Sequence, residues 1–275
     1  MTGDLTHVSL EGEFRDAALQ LAELGAPARV FVIPGNHDRY VAIERERSWD
    51  FWAPYLRGAE KSDLAAFPTD LLVDMPDAKD DPAAGALSDP NRAPDHSDYP
   101  TLRVFGHVAV IGLCSAIPTP VFWAGGWLGA RQLERLERLL ERTRNLGLCR
   151  VVLVHHPITA SSEPARRALR DAGALRDVLA RQGAELVLHG HTHRRRLNRV
   201  AGPASKIPVI GVPSSSEVGS RPEKKAQYHV YTVHAADGVD SGFRIAGEIR
   251  GYDASTGAFA RVDPPVLEEL FTPPS

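Results

Sequence analysis

Apolar positions along the chain follow two rhythms. Between residues 11 and 24, Phe14, Ala17, Ala18, Leu21 and Leu24 recur at the spacing of one helix face, and Gly25 and Pro27 stop the run. Residues 129–146 repeat that spacing with Leu133, Leu136, Leu139 and Leu140 opposite a charged face. A further helix is predicted near 164–182, ending at Gly183. Between these segments lie short continuous apolar runs, at 29–33, 149–154 and 185–188, which predict buried strands. Residues 102–113 read as two strands meeting at Gly106-His107. Beyond 208 the pattern becomes short strands, at 208–211, 229–233, 243–245 and 248–252, followed by a turn at 253–257. Residues 41–72 mix helical spacing with Trp49, Phe51, Trp52 and Tyr55. Residues 74–100, rich in Asp, Pro, Ala and Ser without a period, predict a long surface loop.

Strand–helix–strand order followed by a strand-rich end argues for an α/β fold of two packed sheets flanked by helices. A chain of 275 residues accommodates one sizeable domain, expected over 1–252, with 253–275 as a tail. The hydrophobic share of 43% and charged share of 24% are ordinary for a globular protein. The net charge of −3 excludes a global basic field, so no nucleic-acid partner is expected, and any pull on an anion must be local. No apolar stretch reaches the roughly 18 to 20 residues of a membrane span, and residue 1 opens no signal peptide. Two cysteines, Cys114 and Cys149, make no disulfide framework and suit a reducing cytoplasm.

The chemistry gathers on four loops, Gly3-Asp4, Gly35-Asn36-His37-Asp38, His155-His156-Pro157 and Gly190-His191-Thr192-His193. In most of them an apolar strand stops and Asp, Asn or His follows at once. Open α/β sheets bind ligands at the carboxyl ends of their strands, so such loops can converge on one crevice. Imidazole, carboxylate and amide oxygen together suit Zn, Mn, Fe, Co or Ni. In this order and spacing the four motifs resemble the calcineurin-like metallophosphoesterase superfamily, and within it the bacterial cyclic-nucleotide and glycerophosphodiester phosphodiesterases. The resemblance runs over residues 1 to about 195 and more loosely to about 252.

That resemblance implies a four-layer α/β/β/α sandwich of two mixed sheets flanked by helices, and a centre of two divalent metal ions. Asp4 would bridge the ions, Asn36, His155 and His191 would complete the second site, and His193 would belong to the first. His37 would be the acid that protonates the leaving alkoxide, with Asp38 orienting it. Two cations roughly 3.5–4 Å apart clamp a phosphate and acidify the bridging water that attacks it. The family pattern opens with Asp-x-His, which this sequence lacks upstream of Gly3-Asp4. We therefore expect the first strand to be missing by truncation, the first metal to have only Asp4 and His193, and one bound ion as the alternative to two. His7 as a substitute ligand is the less favoured reading. The expected activity is hydrolysis of a small phosphodiester or cyclic nucleotide. The rivals are a phosphomonoesterase or nucleotide-lipid pyrophosphatase, and a non-catalytic binding protein. Oligomeric state is left open.

Overall fold

The computed structural model describes residues 1–58, 89, 91–159, 164–217, 224–236 and 242–272. Helix α1 (Glu11–Leu24) forms where the periodicity placed it. Glu13 reaches back to accept the N–H groups of Val8 and Leu10 at 3.0 Å each, satisfying donors that a helix start leaves free. Phe14, Ala17 and Leu21 are the buried face. The short helix α2 (Ala53–Leu56) follows a 3-10 turn at Trp49–Trp52. Most of the expected long loop and the end of the 41–72 region lie outside the described residues.

Strands β1 (Thr101–Phe105), β2 (Val108–Gly112), β3 (Cys149–Val154), β4 (Leu186–His189), β5 (Arg196–Val200) and β6 (Ile207–Gly211) build one sheet in the order β1-β2-β3-β4-β6-β5. Pairing is parallel through β2-β3-β4-β6 and antiparallel at both edges, so the sheet is mixed. Helices α3 (Ala130–Asn145) and α4 (Ala172–Gln182) supply the crossovers between the central strands. Their leucines pack with Val152, Val154, Val187 and Val209 on one face of the sheet. The other face, with Val151, Leu153, Leu186 and Ile210, packs against Ile245, Ile249, Val266 and Leu267 of a second sheet. That sheet is an antiparallel meander of β7 (Gln227–Ala235), β8 (Phe243–Asp253) and β9 (Ala258–Thr272). The molecule is thus a layered α/β structure with two packed sheets.

Several segments depart from the sequence expectation, each for a tertiary reason. The run 29–33 is buried from Phe31 to Ile33 but forms no strand: Val32 N–H donates to the Tyr55 carbonyl and Ile33 N–H to that of Met1. It stays extended because Phe31 and Ile33 fill the core between the sheets while Val32 packs under α1. Residues 258–272, expected within a tail, are β9, whose Val266 and Leu267 complete the inter-sheet core. Pro264-Pro265 hides that strand by breaking its alternation. The two expected strands at 243–252 are one, β8, with irregular pairing to β9 around Gly247. Helix α4 begins at Ala172 rather than near 164, because residues 166–170 pair instead with 124–126. Strand β5 escapes the apolar pattern, since Arg196-Leu197-Asn198-Arg199-Val200 carries the charges that edge strands tolerate.

Candidate metal centre

The four polar loops meet beside the carboxyl ends of β3 and β4. Gly190 N–H donates to the His155 carbonyl, tying the two strand ends together. Gly3 and Gly35 make the next approach. A methyl group on Gly35 would collide with Asp4 and with the His155 ring, and one on Gly3 with the Gly35 backbone. Asp4, His191 and His193 all sit at positive φ (59°, 63° and 49°), a conformation that costs L-residues free energy and clusters at functional sites.

Asp38 holds the first two loops together. Its buried carboxylate accepts the N–H groups of Asp4, Leu5, Thr6 and Gly35 at 2.8–2.9 Å, and the Thr6 hydroxyl at 3.1 Å. Burial and the charge of Asp4 push this carboxyl up, but every partner is a donor, so the arrangement serves the ionised form. Orientation of the His37 ring, expected of Asp38, falls to other groups. His37 Nδ1 donates to the His7 carbonyl at 2.6 Å, and Nε2 meets the Tyr40 hydroxyl at 3.0 Å. The His7 ring stacks on His37 with centroids 5.6 Å apart, a supporting role rather than a ligand's.

Around Asn36 four candidate donors converge. Its Oδ1 lies 3.0 Å from His155 Nε2 and 2.8 Å from His191 Nδ1. His155 Nε2 is also 3.3 Å from Asp4 Oδ2. The far nitrogen of His155 donates to the Thr2 carbonyl at 2.6 Å, and His191 hydrogen-bonds the Arg167 carbonyl. Carbonyls on the outer nitrogens fix the tautomers and turn the inner lone pairs towards Asn36 and Asp4, as metal-binding histidines require. Burial would raise Asp4, but His155, by charge and hydrogen bond, and His37 hold it well below the usual carboxylate range. Burial and the charge of His155 push His191 down to about 3, which keeps its imidazole neutral. Burial opposes charge on His155, yet Asp4 and the Thr2 carbonyl outweigh it and raise that histidine.

These donors fit a divalent ion. Two imidazole nitrogens, an amide oxygen and a carboxylate oxygen lie beside one another, a borderline donor set. Among the described residues no group of three or more His, Cys, Asp and Glu is by itself disposed to hold an ion. The amide of Asn36 is what links His191 to the Asp4–His155 pair. His193 is less enclosed: its side chain is 43% exposed, it lies 4.0 Å from Glu217, and it feels the charges of both Asp4 and Glu217.

Two further buried histidines bond groups outside this set. Buried His156 bonds the Ser115 hydroxyl at 2.8 Å and the Ala124 carbonyl at 3.0 Å, and burial drives it well below its usual range. His189 bonds the Gly190 carbonyl, and burial pushes it down to about 4. Sequence reasoning missed Tyr40, the Thr2 and Arg167 carbonyls and Glu217, because nothing in their spacing marks them. Only the adjacency of Tyr40 to the Asn36-His37-Asp38 motif offered a hint.

Residues 1–195 match the family model described as calcineurin-like phosphoesterase. The chain is therefore a member of the calcineurin-like phosphoesterase family, of metal-dependent phosphoester hydrolases. Comparison with curated proteins gives no match. Among solved structures, the crystal structure of a dimetal phosphatase from Danio rerio is similar at 13% identity, covering 96% of this chain and 89% of that one, with a TM-score of 0.41. Among the described residues no helix is long and apolar enough to cross a membrane.

Proposed function

We propose that the chain hydrolyses a small phosphodiester, a cyclic nucleotide among the candidates, at the Asp4–Asn36–His155–His191 cluster. The carrying observation is that His155 Nε2 and His191 Nδ1 both lie within 3.0 Å of Asn36 Oδ1, with Asp4 Oδ2 3.3 Å from His155 Nε2, beside a histidine held at both ring nitrogens. Divalent ions of the Mn, Fe, Zn, Co or Ni kind, when bound, supply Lewis-acid charge to the phosphoryl oxygens and acidify water. Asp4, Asn36, His155 and His191 would hold such an ion, and His193 with Asp4 would hold a second.

His37 is the acid in this reading. Its Nδ1–H is committed to the His7 carbonyl, so Nε2 is the edge that hands a proton to a leaving alkoxide. The Tyr40 hydroxyl steadies that edge and must swing aside or relay the proton. Asp38 acts one step back, fixing the loop that carries both His37 and Asp4. A cytoplasmic site of action fits the two buried thiols, Cys114 and Cys149. The partly exposed His193, which would have only Asp4 beside it at a second ion, favours one rival, a protein that binds a single ion and a phosphoester without turnover.

The test measures metal per chain and hydrolysis of an aryl phosphodiester, with and without added Mn. His37→Ala should lower kcat by about 10²–10⁴-fold while metal content stays the same. Turnover unaffected by His37→Ala would remove the assigned acid. Metal bound without any turnover of aryl phosphodiesters or monoesters would favour the binding protein.

A further inference from the structure

The loop 118–127 and the segment 164–170 run side by side next to the histidine cluster. Ala124 N–H donates to the Arg166 carbonyl at 3.0 Å, Gly126 N–H to that of Ala168 at 3.1 Å, and Arg170 N–H to that of Gly126 at 2.9 Å. The inner part of the loop is anchored. The Ala124 carbonyl accepts from His156 Nε2, and the His156 ring fills the space where a side chain at residue 126 would lie.

Its outer tip is the opposite. Val121 is 79% exposed, Phe122 89% and Trp123 45%. The tip is nonetheless ordered by its own bonds: Trp123 N–H donates to the Pro120 carbonyl at 2.9 Å, and the Thr119 hydroxyl to that of Trp123 at 2.8 Å. Phe122 is held at φ 67°, a left-handed conformation that glycine adopts freely and a bulky residue only at a cost. Single exposed apolar residues are ordinary, but three in succession on a held turn gain nothing in water.

Arg166, Arg167 and Arg170 are exposed on the adjoining segment. Neither 118–127 nor 164–170 contains Asp or Glu, so this patch is locally cationic on a chain of net charge −3. A second copy of the patch would bring arginine against arginine. The chemistry that satisfies both halves is an anionic lipid surface, where aromatic side chains sit at the headgroup level and arginines meet phosphates.

We propose that Val121, Phe122 and Trp123, with Arg166, Arg167 and Arg170, dock the protein on an anionic bilayer beside its metal centre. This goes beyond the proposed hydrolysis and does not depend on it, because vesicle binding is read without turnover. The experiment is co-sedimentation of the full chain with vesicles of phosphatidylcholine mixed with phosphatidylglycerol, against phosphatidylcholine alone. The wild-type chain should pellet with the mixed vesicles, less so as salt rises. Phe122→Gly should weaken that binding about tenfold or more while leaving the melting temperature no lower, since glycine suits the turn. Trp123→Ser and the pair Arg166→Ala/Arg170→Ala should weaken it as well. The proposal is overturned by wild-type protein left in the supernatant with both vesicle types. It is equally overturned if Phe122→Gly binds undiminished or melts earlier, or if light scattering shows a dimer that Phe122→Gly dissociates. Capture by poly-glutamate in preference to the mixed vesicles would also overturn it, assigning the patch to an acidic polypeptide.

Discussion

Strands β3 and β4 carry buried polar groups at both ends, and the two ends are built differently. At the amino end, Arg150 and Glu185 form a buried ion pair at 2.6 Å with a second bond at 3.0 Å. The Glu185 carboxylate also accepts the Arg150 N–H, and the guanidinium donates to the Gln182 carbonyl at 2.9 Å. At the carboxyl end, His155 and His191 crowd Asp4 and Asn36. Both ends take charge out of water. One pairs both charged groups with each other and with neighbouring backbone, and stabilises the packing of α3 and α4 on the sheet. The other leaves acceptor atoms facing each other, which a cation would satisfy. Completeness of pairing, rather than burial, separates structural charge from chemical charge.

The largest effect that can break this contrast lies at the amino end. Arg150→Met alone should lower stability by about 3–5 kcal/mol, because it strands the Glu185 carboxylate, and the double variant with Glu185→Leu should recover most of that loss. Urea unfolding of the three proteins decides it; a single variant as stable as wild type would erase the difference between the ends. At the carboxyl end His191→Ala should lower metal affinity at least about 100-fold. The same change should alter the stability of the metal-free protein by no more than about 1 kcal/mol. His193→Ala should cost less than about tenfold in affinity, and titration calorimetry with Mn compares the two histidines directly. Equal losses would place His193 on the same footing as His191.

A smaller effect tests how the loops reach each other. Gly35→Ala should lower stability by about 1–3 kcal/mol and weaken metal binding together, since its methyl group meets both Asp4 and His155. Loss of stability with metal affinity intact would mean the cluster can relax around the clash. The smallest expected effect concerns acid. Burial, with the charge of Arg195, pushes His229 down to about 4, against roughly 6.5 in an unfolded chain. The unfolded state then binds the extra proton, so stability contributed by the neutral imidazole is lost as pH falls from about 6.5 to about 4. The slope should stay below about 1.4 kcal/mol per pH unit. His229→Gln should flatten it, and a slope unchanged in that variant would assign the acid sensitivity elsewhere.

Much of the site is legible in the amino-acid sequence, because metal-ligand chemistry leaves few residue types to choose among. Gly35-Asn36-His37-Asp38 and Gly190-His191-Thr192-His193 declare themselves by composition, and the apolar runs before them declare the segments that carry them. The supporting groups are not legible. The carbonyls of Thr2, His7 and Arg167 act through the backbone, which every residue possesses, so no sequence signal marks them. Asp38 misleads for a related reason. Its position beside His37 suggests a partner for that ring, whereas five donors from two loops claim its oxygens.

The fold shows the same division. Periodicity determined α1, α3 and the central strands, since burial of one face is a local pattern repeated along the chain. It could not determine that 29–33 would lie extended without strand neighbours, that residues 258–272 would close the second sheet, or that residues 166–170 would leave α4 to pair with 124–126. Those outcomes depend on which distant carbonyl or apolar surface is within reach. The sequence by itself therefore determined which side chains are candidates for the proposed metal site. Only the tertiary structure decided that Asp4, Asn36, His155 and His191 face one another while His193 is left partly exposed, because contact between loops is set by backbone approach at Gly3 and Gly35.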